Sequence, residues 1–229
     1  MGQITIRELE KLDFFEGIPQ DILQNLLNES TVASYKKKEV IFHSRTRTEF
    51  VYFVLSGEVM LYNLTKHGNR KVIFILGKGR LLNQSIVSKK PNALFGEAVC
   101  PVQALKIPEG VFLRLMEQCH ELTYSILREY ERNLWRMGHQ LKNTTGNMQT
   151  ERKIAAKLWK LGRDFGVETE EGVMVDIDLT ITLMADLVGV PRENVSRACK
   201  ILTDRGLIRY SSKRFILTDF DGLADFYKM

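Results

Sequence analysis

The sequence predicts an α+β chain in three parts, on three observations. Short β-rich runs fill the first 110 or so residues, apolar side chains recur every seven residues through the middle, and two helices followed by a basic hairpin lie near the carboxy terminus. The parts are 1–110, an antiparallel barrel; 111–147, a long central helix; and 148–229, a helical domain carrying a short hairpin.

Each element has a local reason. In the first part, Glu39 to Phe42, Phe50 to Leu55, Glu58 to Asn63 and Lys71 to Leu76 are β-rich and bounded by turn residues. Ser56-Gly57 and His67-Gly68-Asn69 supply hairpin turns where positive φ is cheap, and Gly77-Lys78-Gly79 supplies a further break. Ahead of them Pro19 suits a helix start, with Ile22, Leu23, Leu26 and Leu27 on one stripe.

The central helix is expected from about Glu109 to Asn143. Leu127, Leu134, Leu141 and Met148 stand seven apart, with Tyr130, Met137 and Thr144 as companions three residues later. Such an a/d seam predicts a parallel two-stranded coiled coil and hence a homodimer, with Leu127, Tyr130, Leu134, Met137 and Leu141 at the interface. Near Leu115 to Leu122 the same helix is expected to pack on its own barrel.

From Thr180 to Leu217 an amphipathic helix, a tight turn, a second helix and a basic hairpin follow one another, and together they read as a winged helix-turn-helix. Gly189 suits a left-handed helix end and Pro191 a first helical turn. In the second helix Arg192, Glu193, Ser196 and Arg197 share one face, while Val195, Ala198, Cys199 and Leu202 share the other. Arg offers a forked donor to guanine O6 and N7, Glu an acceptor to cytosine N4, and Ser a contact to either base. Asp204-Arg205-Gly206 stops the helix; Leu207 to Tyr210 and Arg214 to Leu217, joined through Ser211-Ser212-Lys213, form the wing.

Between residues 192 and 214 seven Lys or Arg stand against two acids, although residues 150–229 are neutral at thirteen of each. Positive charge is thus concentrated where a polyanion would lie. Lys200, Lys213 and Arg214 are expected on phosphates, joined by Thr180 and Thr182 from the first helix. These residues predict double-stranded DNA as a partner.

With 44% hydrophobic residues, a net charge of +5 and no long apolar run, the chain reads as globular and cytoplasmic, without membrane span or secretory signal. Three dispersed cysteines, Cys100, Cys119 and Cys199, argue against a disulfide framework and a CxxC metal site. Four scattered histidines make no recognisable ligand set for a metal enzyme, so no catalytic or metal residue is expected. His43 and His67 remain conceivable haem ligands, and Arg80 or Arg128 conceivable counterions for a small organic acid.

The stretch from Met184 to Leu202, MADLVGVPRENVSRACKIL, resembles the recognition motif of the Crp/Fnr superfamily of transcription regulators. Glu193, Ser196 and Arg197 match the Glu-x-x-Ser-Arg arrangement of its Fnr-like branch, and Arg192 the Arg preceding this Glu in the catabolite-activator branch. The resemblance implies a cyclic-nucleotide-binding-like jelly-roll sensor, a dimerisation helix and palindromic sites with TGA-containing half-sites. It also implies a small-molecule effector and, through the loop between Arg163 and Val175, RNA polymerase as a partner.

The sequence departs from that pattern in the sensor. Leu81-Leu82-Asn83 replaces a Gly-Glu-Leu, and Asn92-Ala93 stands where an Arg-Ser pair clamps a cyclic phosphate; an amide and a methyl do not replace charge-assisted bonds. Cyclic AMP in the usual mode is therefore not expected. Gly96-Glu97 is a shifted partial copy without the following Arg. An Fnr-type iron-sulfur cluster is excluded on ligand count, since the first cysteine is Cys100. The alternative to a regulator is a small-ligand sensor with the same barrel that has lost DNA binding.

Overall fold

The computed structural model describes residues 4–144 and 148–228, with 142–144 described by backbone alone. The boundary expected at 147/148 adjoins residues 145–147, and together with the seam companion Thr144 it lies outside the described side chains. The chain divides into two compact units, one reaching to Asn63 and including Ile73–Gly138, the other comprising Leu64–Val72 and the chain from His139 onward.

The first unit opens with α1 (Ile6–Glu10), closed by a reciprocal cap in which the Thr5 hydroxyl accepts from the Glu8 amide and the Glu8 carboxylate accepts from the Thr5 amide at 2.8 Å. A 3-10 turn (Asp13–Phe15) and α2 (Gln20–Asn28) follow, with Pro19 capping α2 as its sequence implied. Strands β1 (Thr31–Tyr35), β2 (Val40–Phe42), β3 (Phe50–Ser56), β4 (Val59–Leu64), β5 (Arg70–Leu76), β6 (Phe95–Ala98) and β7 (Val102–Pro108) form two sheets, ordered β1-β7-β3 and β2-β6-β4-β5. Gly57 and Gly68 adopt φ of 79° and 77° at the expected hairpin turns.

Strand β3 shows why this unit has two cores. Its Tyr52 and Val54 join Phe42, Val59, Leu61, Phe74 and Ala104 in one cluster drawn from both sheets. The alternate residues Val51 and Phe53 point the other way, into a cluster with Phe14, Phe15, Leu23, Phe112 and Leu122 contributed by the helices. A strand covered on both faces carries a continuous apolar run, and this explains why FVYFVL lacks alternation.

The central helix is corrected. It is not continuous from Glu109: α3 (Glu109–Gln118) ends at Cys119, whose backbone is extended at φ −133° and ψ 111°, and α4 (His120–Thr144) begins anew. The break lets Val111, Phe112 and Leu115 on one helix and Leu122 and Ile126 on the next all reach the same core cluster, which one straight rod would not allow.

In the second unit, α5 (Thr150–Phe165) buries Ile154, Ala155 and Leu158. Strands β8 (Gly166–Thr169) and β9 (Gly172–Val175) form a hairpin where a surface loop was expected before β9. Helices α6 (Ile181–Val188) and α7 (Arg192–Asp204) are followed by β10 (Arg209–Ser211), β11 (Arg214–Leu217) and α8 (Phe220–Lys228), and the sheet order is β10-β11-β9-β8. Gly162 of α5 leaves no room for a Cβ, which would lie 2.5 Å from Leu217, so the helix seats closely on β11.

Candidate nucleic-acid interface and sensor pocket

Helices α6 and α7 are joined as their sequence requires. Thr180 caps α6 by accepting from the Leu183 amide at 3.1 Å, and Gly189 ends it at φ 76° in the left-handed region. Pro191 precedes the first residue of α7. Val195, Ala198, Cys199 and Leu202 are buried, at 0%, 2%, 7% and 0% exposure, which fixes the rotation of α7. Arg192, Glu193, Ser196, Arg197 and Lys200 are in consequence exposed. The four base-reading candidates share one solvent face, as the spacing predicted.

Two contacts were not anticipated. Arg197 Nη2 donates to Asn194 Oδ1 at 2.5 Å, one helical turn away, an i,i+3 spacing that was visible in the sequence. Arg214 is paired with Asp176, so it does not stand beside Lys213 as a second open cation of the wing. Lys213 is exposed at the wing turn, where it and Ser212 both adopt positive φ, 64° and 49°. Thr182 is exposed at the start of α6 and Thr180 half-buried, its oxygen engaged in the cap.

Burial pushes the Cys199 thiol up to about 11. It is expected to resist alkylation at neutral pH in the native protein and to react only on unfolding, as peptide mapping after iodoacetamide treatment measures. Rapid native labelling of Cys199 would mean that α7 detaches readily from its domain.

On α4 the seam residues Leu127, Leu134, Met137 and Leu141 are 56%, 71%, 45% and 62% exposed, and Tyr124 on the same side is 64% exposed. Tyr130 is a correction, because it packs against the core cluster of its own unit and its hydroxyl is buried. At about 100° per residue it lies roughly 60° from Leu127 toward the inward face. Burial pushes that hydroxyl up to about 12, and the nearby Ile86 backbone completes no hydrogen bond to it.

In the sensor, the segment that would hold a cyclic phosphate is satisfied by its own side chains. Asn83, 5% exposed, accepts from the Tyr52 amide at 2.8 Å and donates to the Phe50 carbonyl at 2.9 Å, stitching the segment onto β3. Gln84 Oε1 accepts from the backbone amides of both Ala93 and Leu94, each at 3.2 Å. Asn92 is 4% exposed and bonded through its backbone to Arg45 and Thr46. Glu97 is 2% exposed and accepts from the Tyr62 hydroxyl at 3.1 Å within the barrel. None of these residues supplies a cation to a phosphate.

Glu129 of α4 is the charged residue that sequence reasoning missed. It is 4% exposed and lies 3.4 Å from Arg80, in the loop after β5. Its signal was its place on the inward stripe of α4 with Leu122 and Ile126. Desolvation raises its pKa, opposed by Arg80 and Arg136 and reinforced by Asp13. A carboxyl whose folded-state pKa lies above its unfolded value gives stability that is fully present below about 4.5 and lost as pH rises through the folded value. Urea midpoints of the wild type relative to Glu129→Gln are expected to fall across that window and then level off. A rising difference would show that the Arg80 attraction outweighs desolvation.

A β-roll linked through a long helix to a winged helix-turn-helix defines a class, the DNA-binding regulators that couple a sensor domain to a reading helix. Two family profiles match, "Cyclic nucleotide-binding domain" over residues 32–119 and "Crp-like helix-turn-helix domain" over 152–226. Between them they take in well over half of the chain, which belongs to the Crp/Fnr superfamily of transcription regulators.

Among relatives, the CRP-like cAMP-activated global transcriptional regulator of Mycobacterium tuberculosis is 23% identical over 217 residues, covering 94% of this chain and 96% of its own. The fold is shared with FixK2 from Bradyrhizobium japonicum, at TM-score 0.74 and 20% identity over 86% of this chain and 96% of that one. It is shared also with a CooA mutant from Carboxydothermus hydrogenoformans, at TM-score 0.76 and 16% identity over 99% and 97%. Among the described residues no group of three or more His, Cys, Asp or Glu is placed to hold a metal ion, and no helix is long and apolar enough to cross a membrane.

Proposed function

We propose that this protein is a homodimeric regulator that reads a palindromic DNA site with TGA-containing half-sites and is controlled by an effector other than a cyclic nucleotide bound in the usual way. The observation that carries the reading is the solvent face of α7, where Arg192, Glu193, Ser196 and Arg197 stand exposed on a helix whose opposite face is locked into the core. Arg197 and Glu193 discriminate bases, Ser196 adds a contact, and Lys200, Lys213 and Thr182 hold phosphates. Arg214 acts chiefly by bracing the wing through Asp176.

One α7 reads only a few base pairs. Two copies related by a twofold axis reach successive major grooves about 34–36 Å apart, which is what the exposed apolar stripe of α4 is for. The hairpin from Gly166 to Val175, with exposed Glu168, Glu170 and Glu171, is the surface offered to RNA polymerase. Control is a population shift, in which effector and DNA favour the same arrangement of the two reading domains and so favour each other.

Selection of binding sites from random duplexes by the full-length protein tests the reading. Enrichment of a twofold-symmetric sequence with TGA half-sites is the expected result, and no enrichment would leave a sensor without DNA binding. Cyclic AMP is expected to leave the thermal midpoint unchanged, because Gln84, Asn92 and Ala93 offer no charge to its phosphate. A midpoint rising with cyclic AMP concentration would overturn that part.

A further inference from the structure

Buried polar side-chain atoms nearly always have partners, and those that lack one mark the place of water, an ion or a ligand. On α4 three such atoms, Glu129 Oε1, Tyr130 Oη and Asn133 Oδ1, are buried without a hydrogen-bond partner. Positions i, i+1 and i+4 are mutual neighbours on a helix surface, so the three belong to one patch. Tyr130 packs against the core cluster, which places the patch on the inward side of α4.

The electrostatics around the patch have two signs. Glu129 brings one buried carboxylate, whose other oxygen lies 3.4 Å from Arg80 and 3.7 Å from Arg132. The Arg136 guanidinium lies over the Phe74 ring, 5.4 Å from its centre, and acts on Glu129 from the same side as Arg80, while Asp13 adds a second negative charge. Three guanidinium groups therefore surround one orphaned carboxylate oxygen and two neutral oxygens.

We propose that Glu129, Tyr130 and Asn133 form the amine-binding end of a site for a free α-amino acid, whose carboxylate faces Arg80 and Arg136. The proposal rests on reading the first unit as a sensor and names the class of molecule sensed. An ammonium group carries three N–H donors and no acceptor, and the patch presents three oxygens able to accept them. A bare amine would meet the repulsion of three guanidinium groups, and a bare carboxylate would meet Glu129. A zwitterion satisfies both ends, with the guanidinium fork matched to a carboxylate. This position is separate from the segment of Gln84, Asn92 and Ala93, where the chain fills its own phosphate cradle.

Thermal shift and calorimetry on the full-length protein, with each common amino acid in turn, test the proposal. One or a few amino acids are expected to raise the midpoint by several degrees. The matching amine without the carboxylate and the matching acid without the amine are expected to do nothing. Tyr130→Phe and Asn133→Leu should each weaken binding about tenfold or more, with circular dichroism and nonspecific DNA binding unchanged. Two separate variants guard against one that fails to fold. Binding by no amino acid, equal binding of the acid lacking its amine, or a crystal structure with a single water bridging the three oxygens would each overturn the site. Failure of DNA selection, by contrast, would overturn the regulator reading while leaving amino-acid binding intact.

Discussion

Arg197→Ala is expected to abolish discrimination between operator and random DNA while leaving weak, salt-sensitive binding in place. Arg197 is exposed on α7 and held by Asn194, so its removal takes away a forked donor without opening a cavity. A good bidentate base contact is worth about 1–3 kcal/mol, which is roughly 5- to 140-fold per half-site and compounds across two half-sites. Lys200 and Lys213 remain, so the phosphate term and its salt dependence persist. Gel shifts with specific and scrambled duplexes measure both. An unchanged footprint would remove Arg197 from the reading surface and with it the main support for the proposed function.

Leu134→Lys carries the other large effect, conversion of the dimer to monomers. Leu134 is 71% exposed in the single chain and lies between Leu127 and Leu141 on the same stripe. Full burial of a leucine is worth about 1.5–3 kcal/mol, and a twofold interface loses it from both chains, while the introduced ammonium groups repel each other. Dimer dissociation is expected to rise on the order of 10²- to 10⁴-fold, as sedimentation equilibrium reads. Operator affinity should fall with it, because half-sites are then bound one at a time. A variant still dimeric at micromolar concentration would place the interface elsewhere. Tyr130→Ala, by contrast, is expected to lower stability rather than association, since that ring packs inward.

The reading helix was legible almost residue by residue. Gly189, Pro191 and the split between Arg192, Glu193, Ser196, Arg197 and Val195, Ala198, Cys199, Leu202 are local facts of a 3.6-residue period, and local facts survive folding. The barrel strands were legible for the same reason, through turn glycines and β-rich runs. The break at Cys119 was not, because both α3 and α4 carry good helical patterns and only the shape of the shared core forces a change of direction. Tyr130 was misplaced because a seven-residue recurrence marks a stripe without saying how wide it is. The neighbouring sheet decides where the stripe ends.

Sequence by itself therefore determined the order of domains, the winged reading head, the turns, and the side chains that face DNA, since each depends on neighbours within about one helical turn or one hairpin. Tertiary structure alone decided that Arg214 is spent on Asp176, that Gln84 occupies the amides of Ala93 and Leu94, and that Glu129 lies buried beside Arg80. Those pairings join residues tens of positions apart, and the strength of a charge or an amide depends on how far folding removes it from water.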